Sequence, residues 1–473
     1  MRPPAAPSTH DKALRINLDA ERYGTFAEIG AGQEVGRWFF RVGGASGTVA
    51  KTISAYDMAV SDATYGPTDH YVSRRRLEAM LDCEFALLGQ QLGARRGATT
   101  SFFVFADTVA TRRFSRHENG NGWLGVRFQA APGAATSEIL IHVHLLNKDP
   151  AREQEALGIL GVNLLHGAFY AFTTPSALIA SLIDGLTRDR IEVDMIKLCG
   201  AAFAGVDNRL MSLQLVEQGF TDAAMFTADG EVVQPSEVIY KRPILIERGS
   251  FRPVTHVTLD VIESARQQFL QEPELQGEEP VVLMEMTLRS LTCADRGVDH
   301  EDFLARVDIL HTLGSHVLIS NCERYFSLVE VLSRCTNKAI GVALGVPSLR
   351  VLNDAQYYVD LPGGVLEAMG RLFRAGVKVY VYPYKDPMTG AIVTADSLTV
   401  APPLRHLYAF FLESRRLESL RGYQEAYLGI DTANVLTAIQ TGDPSWEAAV
   451  PPNIVEIIKA RRLFGYQPAP RKA

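Results

Sequence analysis

Cysteine and tryptophan are scarce in this 473-residue sequence, at five and three residues. Cys83, Cys199, Cys293, Cys322 and Cys335 are odd in number, widely spaced and form no C-x-x-C pair. This excludes a disulfide framework or a zinc knuckle as the organising device and suits a reducing compartment, so a cytoplasmic location is expected. A positive excess is also missing. Lysine and arginine total 47 against 54 aspartates and glutamates, for a net charge of −7. No global basic field is available for nucleic acid or an anionic membrane, and neither is expected as a partner. No apolar run reaches the ~18 residues of a membrane helix. The opening MRPPAAPSTHDKALRINLD shows no apolar signal core. There is no G-x-S-x-G elbow, no Cys/His nucleophile pair, no H-E-x-x-H and no calcium-loop spacing.

Hydrophobic residues make up 47% of the chain and charged residues 21%. Those proportions supply an ordinary globular core, and the length predicts two or three domains. In the second half, four apolar runs alternate with amphipathic helical stretches: PVVLMEMT (280–287), HVLISNC (316–322), KAIGVALG (338–345) and VKVYVYP (377–383). Such alternation predicts a mostly parallel, Rossmann-like sheet covered by helices. In the first half, strands at 101–109, 123–131 and 138–146 follow one another without a helix, which predicts an antiparallel sheet. A helix over 154–172, a strand over 191–198, a helix over 207–219 and a hairpin turned at Asp229-Gly230 follow. The expected fold class is α/β overall, an α+β N-terminal domain followed by a mostly parallel α/β domain. The expected boundaries are a flexible N-terminus over 1–20, the α+β domain over 21–255, the parallel domain over 256–465 and a disordered tail over 466–473. Arg74, Arg75 and Arg76 read as solvated charge at a helix start. Asp299 reads as a helix N-cap.

The segment TFAEIGAGQEVGRWFFRVGGASGTVAKT (25–52) is the first candidate site. Gly30, Gly32 and Gly36 form G-x-G-x-x-x-G between a possible strand and a possible helix, where backbone amides approach phosphate. Arg37 and Arg41 share a helix face and could clamp an anion. The dinucleotide fingerprint would place its third glycine at Val35, and GGASG (43–47) leaves no length for a full βαβ crossover. A Walker A loop ahead of Lys51 and Thr52 would need glycine at Ala45 and Ala50. Gly44, Gly47, Lys51 and Thr52 remain as phosphate contacts of a flexible loop. The competing readings are packing, with Trp38, Phe39 and Phe40 in the core, and a subunit interface.

A second candidate is KRPILIERGSFRPVTH (241–256). Its Arg248, Ser250 and Arg252 suit phosphate or carboxylate recognition, against a linker tied by ion pairs to Glu247. The carboxyl ends of the parallel strands supply a third set, with Glu285, Asn321 and Lys385 as a pocket rim. His142 and His144 share a strand face. Zinc there would need a third ligand such as His166 or Asp149, so hydrogen-bonded or surface histidines are the simpler reading and no metal is assigned.

The runs INLDAERYGTFAEIGAGQEVGRWFF, VDNRLMSLQLVEQG and PILIERGSFRPVT resemble an uncharacterised bacterial cytoplasmic family of similar length, and the resemblance spans nearly the whole chain. That family carries two transferred labels, TonB-dependent receptor and nicotinate-nucleotide adenylyltransferase. The receptor label requires an exported large barrel, which this sequence does not fit. The adenylyltransferase label implies an H/T-x-G-H motif after the first strand of a Rossmann-like domain. TLGSH (312–316) has one residue too many and precedes a strand, and ISNCER (319–324) only echoes the second signature, so no catalytic residue is carried over. The function expected is a soluble cytoplasmic enzyme acting on a nucleotide or other phosphorylated small molecule, with nucleotidyl transfer as the label's reaction. Mg²⁺ would accompany ATP if a triphosphate is used. The alternative is a non-catalytic, self-assembling scaffold, a homo-oligomer with the glycine stretch at its interface.

Overall fold

A computed structural model describes residues 7–30, 33–112, 119–293, 297–374 and 376–468. The chain divides into two compact units, Met1–Thr221 and Asp222–Ala473. Among the described residues no helix is long and apolar enough to cross a membrane, and Cys83, Cys199 and Cys322 are free thiols.

The first unit runs α1 (Thr9–Asn17), β1 (Arg22–Gly30), α2 (Glu34–Val42), β2 (Val49–Ile53), α3 (Met58–Tyr65), α4 (Arg74–Arg96), β3 (Ser101–Ala110), β4 (Gly120–Gln129), β5 (Thr136–Leu145), α5 (Pro150–Tyr170), α6 (Pro175–Ser181), β6 (Ile191–Gly200) and α7 (Asn208–Glu217). Its sheet has the order β2-β1-β3-β4-β5-β6. β3 to β6 pair antiparallel, as the succession of strands predicts. β1 pairs parallel with both β2 and β3, which gives the sheet a parallel edge.

That edge corrects the expectation that GGASG leaves no length for a βαβ crossover. β1, α2 and β2 form one. The nine-residue α2 rises ~13 Å, nearly the ~16 Å of the five-residue β2. A short 3₁₀ turn at Ala45–Gly47 completes the return.

Phe26, Val35, Phe39, Phe103, Phe105, Leu124 and Val126 are buried with α5 residues such as Leu160 and Leu164 in one apolar cluster. A Cβ on Gly125 would instead meet Leu77 and Leu81 of α4. Strand alternation therefore puts α4 on the opposite face. Asp149 caps α5 through the Ala151 amide, ahead of Pro150 at the first turn.

Three expectations are corrected in this unit. Residues 1–20 are not a loose leader throughout: Ser8 and Asp11 form a capping box for α1, and Ala13 and Ile16 are fully buried. Lys12 is buried too, with Nζ 2.9 Å from Asn163 Oδ1 and 2.6 Å from Asp184 Oδ2. Residues 1–6 lie outside the described residues. Of the arginine triplet, Arg76 is 1% exposed and donates to Asp62 and to the Gly66 carbonyl. Of the aromatic triplet, only Phe39 is fully buried; Trp38 is partly buried and Phe40 is exposed.

The second unit runs β7 (Ala223–Phe226), β8 (Val232–Val233), α8 (Pro235–Ile239), β9 (Ile244–Arg248), α9 (His256–Phe269), β10 (Val281–Thr287), α10 (Leu288–Leu291), β11 (Thr292–Cys293), β12 (Gly297–Val298), α11 (His300–Thr312), β13 (His316–Ser320), α12 (Tyr325–Leu332), β14 (Ile340–Gly345), α13 (Val346–Leu352), α14 (Gly364–Leu372), β15 (Val377–Tyr382), β16 (Tyr384–Lys385), β17 (Ile392–Val393) and β18 (Leu417–Ser419), with further helices after it. Its main sheet has the order β18-β15-β14-β9-β10-β13-β7-β8. From β18 to β13 every pairing is parallel. The β7–β8 hairpin, turned at Gly230 with φ 83°, adds antiparallel to β13.

The boundary expected near 255 moves to 221/222 because β9 is the central strand of the second sheet. Counted in chain order, the six parallel strands follow the Rossmann order, and the order reverses between β9 and β14. α9 covers one face, with Val261, Ala265 and Phe269 packed on Leu245, Ala343 and Tyr380. Phe326, Leu349 and Leu372 pack on Ile246 and Val342 in the cluster of the other face. Part of the expected tail is anchored: the Gln467 amide donates to the Ile439 carbonyl. Residues 469–473 lie outside the described residues.

Candidate functional site

In the first unit, the glycine stretch is a strand, a turn and a helix start. Gly30 ends β1 at φ 83°, and a Cβ there would lie 2.0 Å from the Val109 carbonyl oxygen, so the turn admits only glycine. Gly32 lies outside the described residues. The α2 amides expected to approach phosphate meet the chain's own carboxyl group. Val35 and Gly36 donate to Glu28 Oε1 at 3.1 and 3.2 Å. Gly36 is small for this reason, since a Cβ would sit 2.8 Å from Glu28 Oε2.

Glu28 is 4% exposed, and Asp107 on the neighbouring β3 is fully buried. Neither Asp107 oxygen finds a side-chain hydrogen-bond partner among the described residues. Burial pushes Glu28 up to about 8, outweighing the two amides that favour its charge. Burial, and then the Glu28 charge, hold Asp107 well above the usual carboxylate range. The cations of the stretch are engaged elsewhere. Arg37 pairs with Glu34 at 2.9 Å, Lys51 with Glu84 at 2.5 Å, and the Arg41 guanidinium lies 5.3 Å from the centre of the Trp38 ring. Thr52 is exposed on β2. Gly44 at φ 77° and Gly47 pack against Asn17, whose side-chain Nδ2 donates to the Phe39 and Gly43 carbonyls.

In the second unit, the carboxyl edge of the parallel sheet gathers charge. Arg248 at the end of β9 grips Glu285 of β10, with Nε 2.5 Å from Oε2 and Nη2 3.1 Å from Oε1. Its remaining donors reach the Cys322 and Glu323 carbonyls. Ser320 of β13 donates to Glu285 Oε1 at 2.5 Å. Burial opposes the guanidinium charge, yet Glu285 wins and raises the Arg248 pKa. Glu285 is therefore a buried anchor and not an open rim residue. Arg252 pairs with Asp302 at 2.7 Å, and the Ser250 carbonyl accepts from Arg306. Asn321 is exposed and lines a cavity of about 460 Å³ with Arg324, Glu330 and Arg334. Lys385 stands apart on the β16–β17 ribbon.

At the strand reversal stands Glu247. Alternation along β9 puts it on the α9 side with Leu245, and in register it neighbours Ala343 of β14. It is 8% exposed, and Oε2 has no partner among the described residues. Burial alone holds its pKa well above the carboxylate range. The expected ion pairing of Glu247 with the arginines is not formed among the described residues, and its carboxyl group is buried without a charged partner. On α9, the His256 ring stacks on Tyr427 with centres 5.1 Å apart. Asp260 accepts from the Tyr382 hydroxyl at 2.6 Å and from the Gln424 amide at 2.8 Å.

No family model matches the sequence, and no curated protein does. Among solved structures, the competence/damage-inducible protein CihA from Agrobacterium tumefaciens is 14% identical over 34% of this chain and 95% of its own, with a TM-score of 0.24. A CinA-superfamily protein from Klebsiella pneumoniae is 10% identical over 34% and 96%, with a TM-score of 0.25. Another, from Enterobacter cloacae, is 10% identical over 36% and 96%, with a TM-score of 0.26. Likeness at this level carries no argument about fold or function.

The chain's own residues carry it instead. With β9 as first strand of the Rossmann order, the segment 312–316 does not follow that strand but joins α11 to β13. Residues 249–258 between β9 and the first turn of α9 contain no H/T-x-G-H sequence. Thr255 and Thr258 are buried and cap α9, the Thr255 amide donating to Thr258 Oγ1 at 3.3 Å. Glu28, Asp107 and Glu247 carried a signal of their own: each is the one carboxylate of an apolar strand run, a place where charge is rarely buried unpaired.

Of the proposed zinc ligands, Asp149 serves as the α5 cap, and His166 lies 3.5 Å from an Arg15 nitrogen. The group that reaches His142 and His144 is Asp194 of β6.

Proposed function

We propose that the protein is an enzyme acting on a nucleotide or a related phosphorylated small molecule, held at the carboxyl edge of the second sheet where the strand order reverses between β9 and β14. The observation that carries this is the strand reversal at β9/β14, since open α/β sheets bind ligands in the crevice at that point. Burial favours the protonated form of the Glu247 carboxyl group there, and that form can donate a hydrogen bond to a ring nitrogen or an oxygen of the ligand. The His256–Tyr427 stack, at the start of the helix that follows β9, offers an aromatic surface for a base. Nucleotidyl transfer of the nicotinate-nucleotide type is the reaction the family label implies. No H/T-x-G-H sequence stands between β9 and the first turn of α9, so the enzyme proposed acts on its ligand without that phosphate-holding motif.

The test is a thermal-shift panel of ATP, NAD, nicotinate mononucleotide and phosphate, each with and without Mg²⁺, on the wild type and Glu247→Leu. One nucleotide should raise the wild-type Tm by the mass action of binding. Glu247→Leu should lose that shift while its ligand-free Tm stays equal or rises, because a buried carboxyl with an unsatisfied Oε2 is removed. No shift with any nucleotide, or the same shift in the variant, overturns the proposal.

A scaffold role is the second reading, favoured by apolar side chains left exposed on the first unit: Phe40 at 57%, Met58 at 62% and Val60 at 52%. Its mark is concentration-dependent association in sedimentation, weakened by Phe40→Ser.

A further inference from the structure

We propose that His142, His144 and Asp194 form a binding site for a divalent transition metal of the zinc class, separate in its residues from the strand reversal of the second sheet. His142 and His144 are two apart on β5, so both rings leave the same face of the sheet. Asp194 joins them through an irregularity in the ladder. His142 pairs with Met195 of β6, but the next residue, Val143, pairs with Val193. Asp194 is the extra residue of this bulge, a device that re-aims a side chain. Its carboxylate comes to rest between the imidazoles, with Oδ1 2.6 Å from His142 Nδ1 and Oδ2 3.1 Å from His144 Nε2. One ligand atom from each residue lies within 4.8 Å of the others.

Zinc bonds to nitrogen and oxygen of ~2.0–2.2 Å place tetrahedral ligands ~3.3 Å apart, so the cluster reaches coordination distance with side-chain movements below ~1 Å. Two neutral imidazoles and one carboxylate suit zinc, cobalt or iron(II) better than calcium or magnesium, which take oxygen. The arrangement is graded in exposure. The side chains of His142 and Asp194 are 5% and 6% exposed and fixed in the sheet, whereas that of His144 is 31% exposed at the mouth. Trp123 packs against His142 from the β4 side with ring centres 4.9 Å apart, which holds the imidazole in place. Three protein ligands with one at the surface leave the remaining positions of a metal to water or to a small ligand.

The test uses the full-length, tag-free protein, stripped with a chelator and dialysed. Zn²⁺ is titrated calorimetrically and Co²⁺ by its visible spectrum, in the presence of excess Mg²⁺. One equivalent of each is expected to bind. Affinity should fall at least ~10-fold in His144→Ala and in the nearly isosteric Asp194→Asn, both checked for native circular dichroism. Zinc X-ray absorption of the wild-type complex reads the ligand set without any variant, and two imidazoles with oxygen are expected. No stoichiometric uptake, a thiolate or all-oxygen shell, or unchanged affinity in a folded His144→Ala overturns the site.

Discussion

A single carboxyl group decides what the glycine stretch does. Glu28 takes the α2 amides that a phosphate would need, and the helix N-terminus is satisfied from within. Its pKa rises from 4.5 to about 8, so the folded state holds this proton more tightly than the unfolded chain. The stability that Glu28 contributes is therefore fully present below about 4.5 and is lost as pH rises to about 8. Glu28→Gln keeps the acceptor for the two amides and removes the titration. Urea unfolding across this window should show the wild type losing stability relative to the variant as pH rises. Parallel curves would mean that Glu28 does not titrate there.

Between elements, the strongest polar link described at the second carboxyl edge is the Arg248–Glu285–Ser320 set, which ties β9, β10 and β13. Glu285 is fully buried, so removing its partner leaves an uncompensated charge. Arg248→Ala should cost about 3–5 kcal/mol in denaturant unfolding, and Arg248→Met with Glu285→Met should recover much of that. A loss below ~1 kcal/mol would make the pair incidental. The same set explains why arginine density misleads as a guide to anion sites here. ERGSFR carries two guanidinium forks, and both are paired to carboxylates from elements far along the chain, Glu285 and Asp302. Helix caps were legible because they are local: Asp299 caps α11 through the Glu301 and Asp302 amides, as its position predicts.

For the whole molecule, each compact unit carries its own apolar core. Residues 222–473 expressed alone should give a cooperative thermal melt with mixed α/β circular dichroism. Residues 256–473, cut at the boundary the sequence suggested, should not, because β9 is then missing from the middle of the sheet. Equal folding of both fragments would show β9 to be dispensable.

By itself the sequence determined the class: period-two and apolar runs specify strands, amphipathic runs specify helices, and their alternation specifies a parallel sheet, all through short-range pattern. Only the tertiary structure decided that β9 joins the second sheet. ILIER is five residues long, and such a run states a strand without stating its partners. Tertiary structure also decided that β1 and β2 pair in parallel, that Glu28 faces Asp107, and that a bulge turns Asp194 toward two histidines some fifty residues away. Burial, charge pairing and pKa depend on which distant groups arrive beside a side chain, and sequence spacing does not record that.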